Sequence, residues 1–251
     1  MAENGSICEL LYPETAVGGF SSVDGTIQFF TRVNALLRSD MKVLDLGAGR
    51  GEYATDDPVD YRRKLRNLRG KVSAVIGIDV SEAVLSNPAI DVAHVVKADE
   101  RWPLDDKSID LIVSDYTFEH LSDPGHVVAE IERVLKAGGW VCARTPNKWG
   151  YNAIGARLIP NSLHERVLRI LQPDRKPIDI FPTEFRLNTR KAIARYFDSS
   201  RWDLWAYTWN AEPAYFGRSV LAWWLAKTMF RFTPQSLGST WFIFCRTKRS
   251  Y

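Results

Sequence analysis

The apolar positions of the chain fall into short runs separated by amphipathic stretches. Val43 to Leu46, Val72 to Ile78, Val92 to Lys97, Ser108 to Ser114 and Trp140 to Arg144 are such runs. Continuous apolar runs of this length, bounded by turn residues, predict strands buried on both faces. Between them, helical spacing predicts helices. Ile27, Phe30, Val33, Leu36 and Leu37 share one face of a helix opened by Asp24. A helix after Gly51 runs toward Tyr53 and is interrupted at Asp56-Asp57-Pro58. Asp123-Pro124 opens another through Val127, Val128, Ile131, Val134 and Leu135, and Gly138-Gly139 closes it. Alternating strands and helices imply a parallel sheet with right-handed crossovers.

The second half departs from this alternation. Thr145-Pro146-Asn147 opens a polar, irregular stretch that reaches Pro182, longer than a connector needs. Asn188 or Thr189 then caps a helix through Ile193, Tyr196 and Phe197. Trp202 to Trp209 alternates as a strand, and Thr240 to Arg246 forms another. Between this pair lies Asn210 to Ser239, in which Tyr215 to Phe232 is apolar on nearly all sides. The interruptions are Arg218, Lys227 and Arg231. A packed lid helix, a dimer contact and a peripheral membrane contact through 213–232 all remain open for this segment.

Candidate chemistry gathers at the strand ends. Val43 to Gly51 reads V-L-D-L-G-A-G-R-G. Glycines at every second position let the backbone turn tightly and let a ligand approach it. A dinucleotide turn would read G-x-G-x-x-G, so the spacing disfavours a nicotinamide-dependent oxidoreductase. Asp79 ends the second run; a carboxylate there can accept both hydroxyls of an adenosine ribose, with Val80 along the adenine face. Asp99 and Glu100 follow the third run, and Ser114, Asp115 and Tyr116 the fourth. Each aspartate alone could be a helix cap. Three in order at strand ends are not explained by capping.

The glycine turn resembles motif I of the class I S-adenosylmethionine-dependent methyltransferases. The order D-L-I-V-S, then E-H-L-x-D-P at Glu119 to Pro124, then R-V-L-K-x-G-G at Arg133 to Gly139 is similar to the middle of that family across residues 41–146. The resemblance implies a Rossmann-like α/β fold. Its sheet would have seven strands, mostly parallel with the last antiparallel, and helices on both faces. One domain would span 1–251, with a cap segment over 1–40 and insertions at 147–187 and 210–239 forming a lid. It implies S-adenosyl-L-methionine as cofactor and S-adenosyl-L-homocysteine as product. The cofactor would lie on Asp45, Gly47, Ala48, Gly49, Arg50 and Gly51, on Asp79 and Val80, with Asp99 and Glu100 at the adenine. Ser114, Asp115 and Tyr116 would close the site. T-P-N and a downstream histidine are loosely similar to methyltransferases of polysaccharide and glycoconjugate pathways. That similarity, and the stacking of sugars on aromatic faces, point to a glycan-type hydroxyl acceptor. A small aromatic or lipid-like metabolite is the alternative, as is a cofactor-binding protein without transfer. A hydroxyl acceptor benefits from a general base. His120, just past the fourth strand, and His164, in the long insertion, are the candidates; a packing or capping role competes for His120. Phe20, Asn147 and Tyr151 are candidate substrate contacts.

Composition narrows the rest. Net charge is only +3 over 251 residues, which gives no bulk footprint for nucleic acid. Tyr61 to Arg69 is strongly basic; a solvated helix face competes with a patch for an anionic substrate or membrane headgroups, and Asp56, Asp57 and Asp60 offset its charge. Cys8, Cys142 and Cys245 stand far apart, without metal-ligand spacing, and suit a reducing, cytoplasmic setting; no metal is expected. No segment reads as a signal peptide, and no apolar run approaches the ~20 residues of a membrane span. Eight of the nine tryptophans lie at or after Trp140, so the second half carries something the glycine-turn half does not.

Overall fold

The computed structural model describes residues 2–151, 153–154, 182–213 and 219–248. Seven strands form one sheet: β1 (Lys42–Leu46), β2 (Ala74–Asp79), β3 (Val92–Val95), β4 (Ile109–Asp115), β5 (Leu135–Pro146), β6 (Trp202–Trp209) and β7 (Thr240–Thr247). Their order is β3-β2-β1-β4-β5-β7-β6. The first five are mutually parallel, and β7 is antiparallel to both β5 and β6. The order reverses between β1 and β4, and in such sheets a ligand sits beyond the strand ends at that point.

The helices cover both faces because the strands are apolar on both. In β1, Val43 faces a core containing Phe29, Phe30 and Val33, while Leu44 faces one containing Ile131, Val134 and Ile193. The first core is closed by α2 (Gly25–Leu36) and the second by α5 (Pro124–Val134) and α6 (Arg190–Tyr196). Asp24 caps α2 by accepting from the backbone N–H groups of Thr26 and Ile27 at 2.8 and 3.0 Å. Asp123 caps α5 in the same way through Gly125 and His126. The other α-helices among the described residues are α1 (Ala2–Leu11), α3 (Glu52–Asp56), α4 (Asp60–Arg66) and α7 (Val220–Phe232).

Two local expectations change. The fifth strand starts at Leu135, ahead of the glycines, because Leu135 pairs with Ile109 and the register then jumps to Trp140 opposite Leu111. Gly138 and Gly139 therefore sit in a bulge within the strand. The basic helix is not merely a solvated face. Arg62 clasps Asp57 and Asp24, and Arg66 turns inward to Asp115 at 2.9 Å.

Candidate active site

The turn after β1 is built by its glycines. The backbone N–H groups of Gly47 and Ala48 both donate to the Ile78 carbonyl, at 2.9 and 3.2 Å, which ties the turn to β2. Gly47, Gly49 and Gly51 all take left-handed φ values, 77°, 51° and 67°. A side chain at Gly47 would collide with Thr117 Oγ1 at 2.1 Å, whereas one at Gly49 would meet nothing within 4 Å. Gly49 thus presents bare backbone to open space, which suits close approach by a ligand.

That space is a cavity of about 310 Å³ whose wall includes Gly47, Gly49, Arg50, Asp79 and Val80. Asp79 accepts the Gly49 N–H at 2.9 Å on one oxygen and the Ser81 N–H at 2.8 Å on the other. Each carboxylate oxygen has further acceptor capacity, so the residue can still take two hydroxyls. Val80 is exposed beside it and offers an apolar edge. The wall continues through Lys97, Ala98 and Trp102, and then through Tyr116, Thr117, His120 and Leu121. Asp99 and Glu100 are exposed and lie outside this wall; Glu100 instead holds Lys97 Nζ at 2.8 Å. Ser114 is buried and donates to the Leu46 carbonyl at 3.1 Å, a bond that joins β4 to β1.

Behind the turn lies a charged cluster that the sequence reading did not assemble. Asp115 accepts from Arg144 Nε and Nη2 and from Arg66 Nη2. Burial works to raise the Asp115 carboxyl, but Arg144 and Arg66 hold it below the usual carboxylate range. Asp45 has the opposite fate: burial, then the neighbouring Asp115 charge, pushes its carboxyl up to about 7. Asp45, Asp115, Tyr53 and Arg66 line a smaller recess that shares Gly47 and Asp115 with the main cavity. Arg66 also lies 4.2 Å from the Tyr53 ring centroid. Tyr116 adopts φ 56°, a costly left-handed conformation for a tyrosine, and its ring packs 4.9 Å from the Arg144 guanidinium. Arg66 and Arg144 lie 49 and 29 residues from Asp115, so no local spacing marks them.

His120 stands in the cavity wall on a short turn, Phe118–His120, after β4. Its Nδ1 is 2.7 Å from the Pro182 carbonyl. A carbonyl only accepts, so Nδ1 carries the proton and the basic lone pair is on Nε2. The Glu119 carboxylate lies 3.9 Å from Nε2. Glu119 is itself buried, accepting from the Thr145 hydroxyl at 2.8 Å, and Thr145 Oγ1 accepts from Asn188 Nδ2 at 2.6 Å.

The other candidates are placed differently. His164 lies outside the described residues. Asn147 is fully buried, and its amide donates to the carbonyls of Ser236 and Gly238 at 2.9 and 2.8 Å, locking β5 to the segment before β7. Tyr151 packs on Phe230 at 4.8 Å and Phe20 stacks on Tyr61 at 5.5 Å. Asn147, Tyr151 and Phe20 are not among the residues lining the cavity. Among the described residues, no cluster of His, Cys, Asp or Glu could hold a metal ion.

Comparison with known proteins agrees with this geometry. Residues 44–143 match a family described as a methyltransferase domain. A probable S-adenosylmethionine-dependent methyltransferase of Mycolicibacterium smegmatis is 34% identical over 131 residues, covering 50% of this chain and 46% of that protein. A ubiquinone biosynthesis O-methyltransferase of Thiobacillus denitrificans is 29% identical over 141 residues, 49% of this chain and 56% of that one. The chain thus spans about half the length of the curated relatives it matches. Among solved structures, a methyltransferase of Thermotoga maritima, possibly acting on histamine, superposes with a TM-score of 0.53 at 14% identity, covering 98% of both chains. Phosphoethanolamine N-methyltransferase 2 of Haemonchus contortus, solved with S-adenosylhomocysteine, has a TM-score of 0.52 at 17% identity over 90% of this chain and 52% of that one. Residues 44–143 thus match a methyltransferase domain. The bare Gly49 backbone, the Asp79 carboxylate and the Val80 edge fit S-adenosyl-L-methionine, the cofactor that this match implies.

Proposed function

We propose that the protein is an S-adenosylmethionine-dependent O-methyltransferase whose acceptor is a hydroxyl of a glycan-type molecule. The observation that carries the reading is His120: a cavity-wall imidazole with its proton held on Nδ1 by Pro182 and its basic lone pair on Nε2. The bound cofactor supplies an activated methyl group on a sulfonium. Gly47 and Gly49 provide the backbone cradle, Asp79 takes the ribose hydroxyls, and Asp99 reaches the adenine from just outside the wall. His120 Nε2 takes the acceptor's proton as the oxygen–methyl bond forms and the sulfur–methyl bond breaks. The nearby Glu119 carboxylate steadies the resulting imidazolium. Positioning and exclusion of water supply most of the acceleration. The segments 147–187 and 210–239 serve as the walls of the acceptor side.

A lipid-like acceptor is the second reading, favoured by the 29% identity to a ubiquinone biosynthesis O-methyltransferase. Transfer of labelled methyl from S-adenosylmethionine to a panel of monosaccharide, glycolipid and quinol acceptors separates the two. Labelling of the sugars supports the first reading and labelling of the quinol alone the second. Cofactor binding with no labelling in any pool would mean a binding protein without transfer on these classes.

A further inference from the structure

The helix α7 buries one side and leaves the other to solvent. Trp223 and Ala226 point into the protein, and Phe230 meets Tyr151. Lys227 also turns inward: its ammonium donates to the Leu11 carbonyl and lies 4.1 Å from the centre of the Tyr12 ring. The opposite side carries Val220, Leu221, Trp224, Leu225, Met229 and Phe232, all exposed, with Phe232 77% and Leu221 66% accessible. At helical spacing these six form one continuous strip. Thr228 lies within it, but its hydroxyl donates to the Trp224 carbonyl at 2.9 Å. Arg231 is the one charge on this side. An apolar strip of this kind marks an interaction site rather than ordinary surface.

We propose that this side of α7 seats the protein on the surface of an anionic lipid bilayer. Charge decides the occupant. The helix carries no Asp or Glu, and Arg231 is exposed on the side of the strip. A second copy of the chain would have to meet the same strip across a two-fold axis, which gives Arg231 no counter-charge from the helix. An anionic headgroup layer supplies the missing counter-charge, and the hydrocarbon beneath it accepts the six apolar side chains. Tryptophan and arginine suit that boundary, since each has an apolar body and a polar end. The helix has 13 residues and lies flat on such a surface; among the described residues no helix is long and apolar enough to cross a membrane. The inference does not depend on the methyl acceptor or on transfer activity.

Cosedimentation of the full chain with vesicles tests it. Vesicles of phosphatidylcholine mixed with phosphatidylglycerol should pellet the protein, and vesicles of phosphatidylcholine alone should pellet less. Raising salt should weaken the difference. The double variant L221D/L225D should bind about ten-fold more weakly or worse, because it replaces apolar contact with like charge to the headgroups. Arg231→Ala should cost about five-fold, the effect of one basic residue near an anionic surface. These positions are exposed, so the variants should keep the wild-type circular dichroism spectrum and melting temperature; Phe232→Asp provides an independent second variant. The proposal is overturned if the wild type stays in the supernatant with both vesicle types. It is equally overturned if the folded variants pellet like wild type. A wild-type dimer in buffer that L221D/L225D converts to monomer would assign the strip to a second copy instead.

Discussion

Individual side chains in the site do two jobs, and the balance between them can be measured. Asp79 already accepts two backbone N–H groups and so holds the glycine turn before any ligand arrives. Asp79→Ala should weaken S-adenosylmethionine binding by about 1.5–3 kcal/mol, the range for hydrogen bonds to a charged group. Titration calorimetry reads this directly, and wild-type affinity in the variant would remove Asp79 from the site. For His120, substitution by alanine should lower turnover about 10²-fold, as expected for a lost general base, with cofactor affinity nearly unchanged. A variant with full turnover would make His120 scaffold and shift attention to His164. Asp45 gives a stability signature. Its folded carboxyl sits near 7, above the usual unfolded value, so the folded state binds the extra proton. Its contribution therefore falls as pH rises from about 4 to 7 and stays flat above that. Asp45→Asn should remove this slope from melting temperatures measured across pH 4–8, and an unchanged slope would mean another group is responsible.

At the scale of elements, the insertion between β6 and β7 has two parts with different attachments. Residues near its end are keyed into the sheet. Asn147 holds the Ser236 and Gly238 carbonyls, the Thr208 hydroxyl donates to the Gln235 carbonyl, and Asn210 accepts the Ser239 N–H at 2.8 Å. A side chain added at Gly238 would meet Thr208 Oγ1 at 2.2 Å. The helix α7 is attached through Trp223, Ala226 and Lys227 and through the Phe230–Tyr151 ring contact. Replacing residues 213–233 with a short glycine-rich loop should therefore leave cofactor binding within a few-fold of wild type. Loss of transfer in that variant would assign α7 to the acceptor side, and retained transfer would leave it a docking element only. Loss of cofactor binding as well would show that the helix belongs to the structural core.

For the molecule as a whole, the main cavity is formed by the ends of β1, β2 and β4 and by the loops that follow them, so a ligand bound there should be felt by the entire fold. S-adenosylhomocysteine at about 100 times its dissociation constant contributes about 2.7 kcal/mol to the folded state. For a domain of this size that should raise the melting temperature by about 5–10 °C. A scanning-fluorimetry shift absent at high ligand concentration would contradict the cofactor assignment.

The sequence by itself determined the strands, their order of use and the turn at Gly47 to Gly51. Those features are local: apolar runs, caps at Asp24 and Asp123, and glycines at every second position each act over a few residues. Asp79 was legible for the same reason, as an acidic residue at a strand end. The sequence also marked Tyr215 to Phe232 as too apolar for an ordinary loop, without saying which side it buries. The tertiary structure decided what depends on contacts between distant segments. Arg66 and Arg144 converge on Asp115 only because β5 pairs with β4 and the last residue of α4 reaches the end of β4, and this lowers one buried carboxyl while Asp45 next to it is raised. The bond from His120 to Pro182 spans 62 residues, and it places a proton on Nδ1. Asn147 is a candidate substrate contact from its place in T-P-N, yet folding turns its amide onto the backbone carbonyls of Ser236 and Gly238. A buried amide must find partners, and which ones it finds is set by the chain that comes back to meet it.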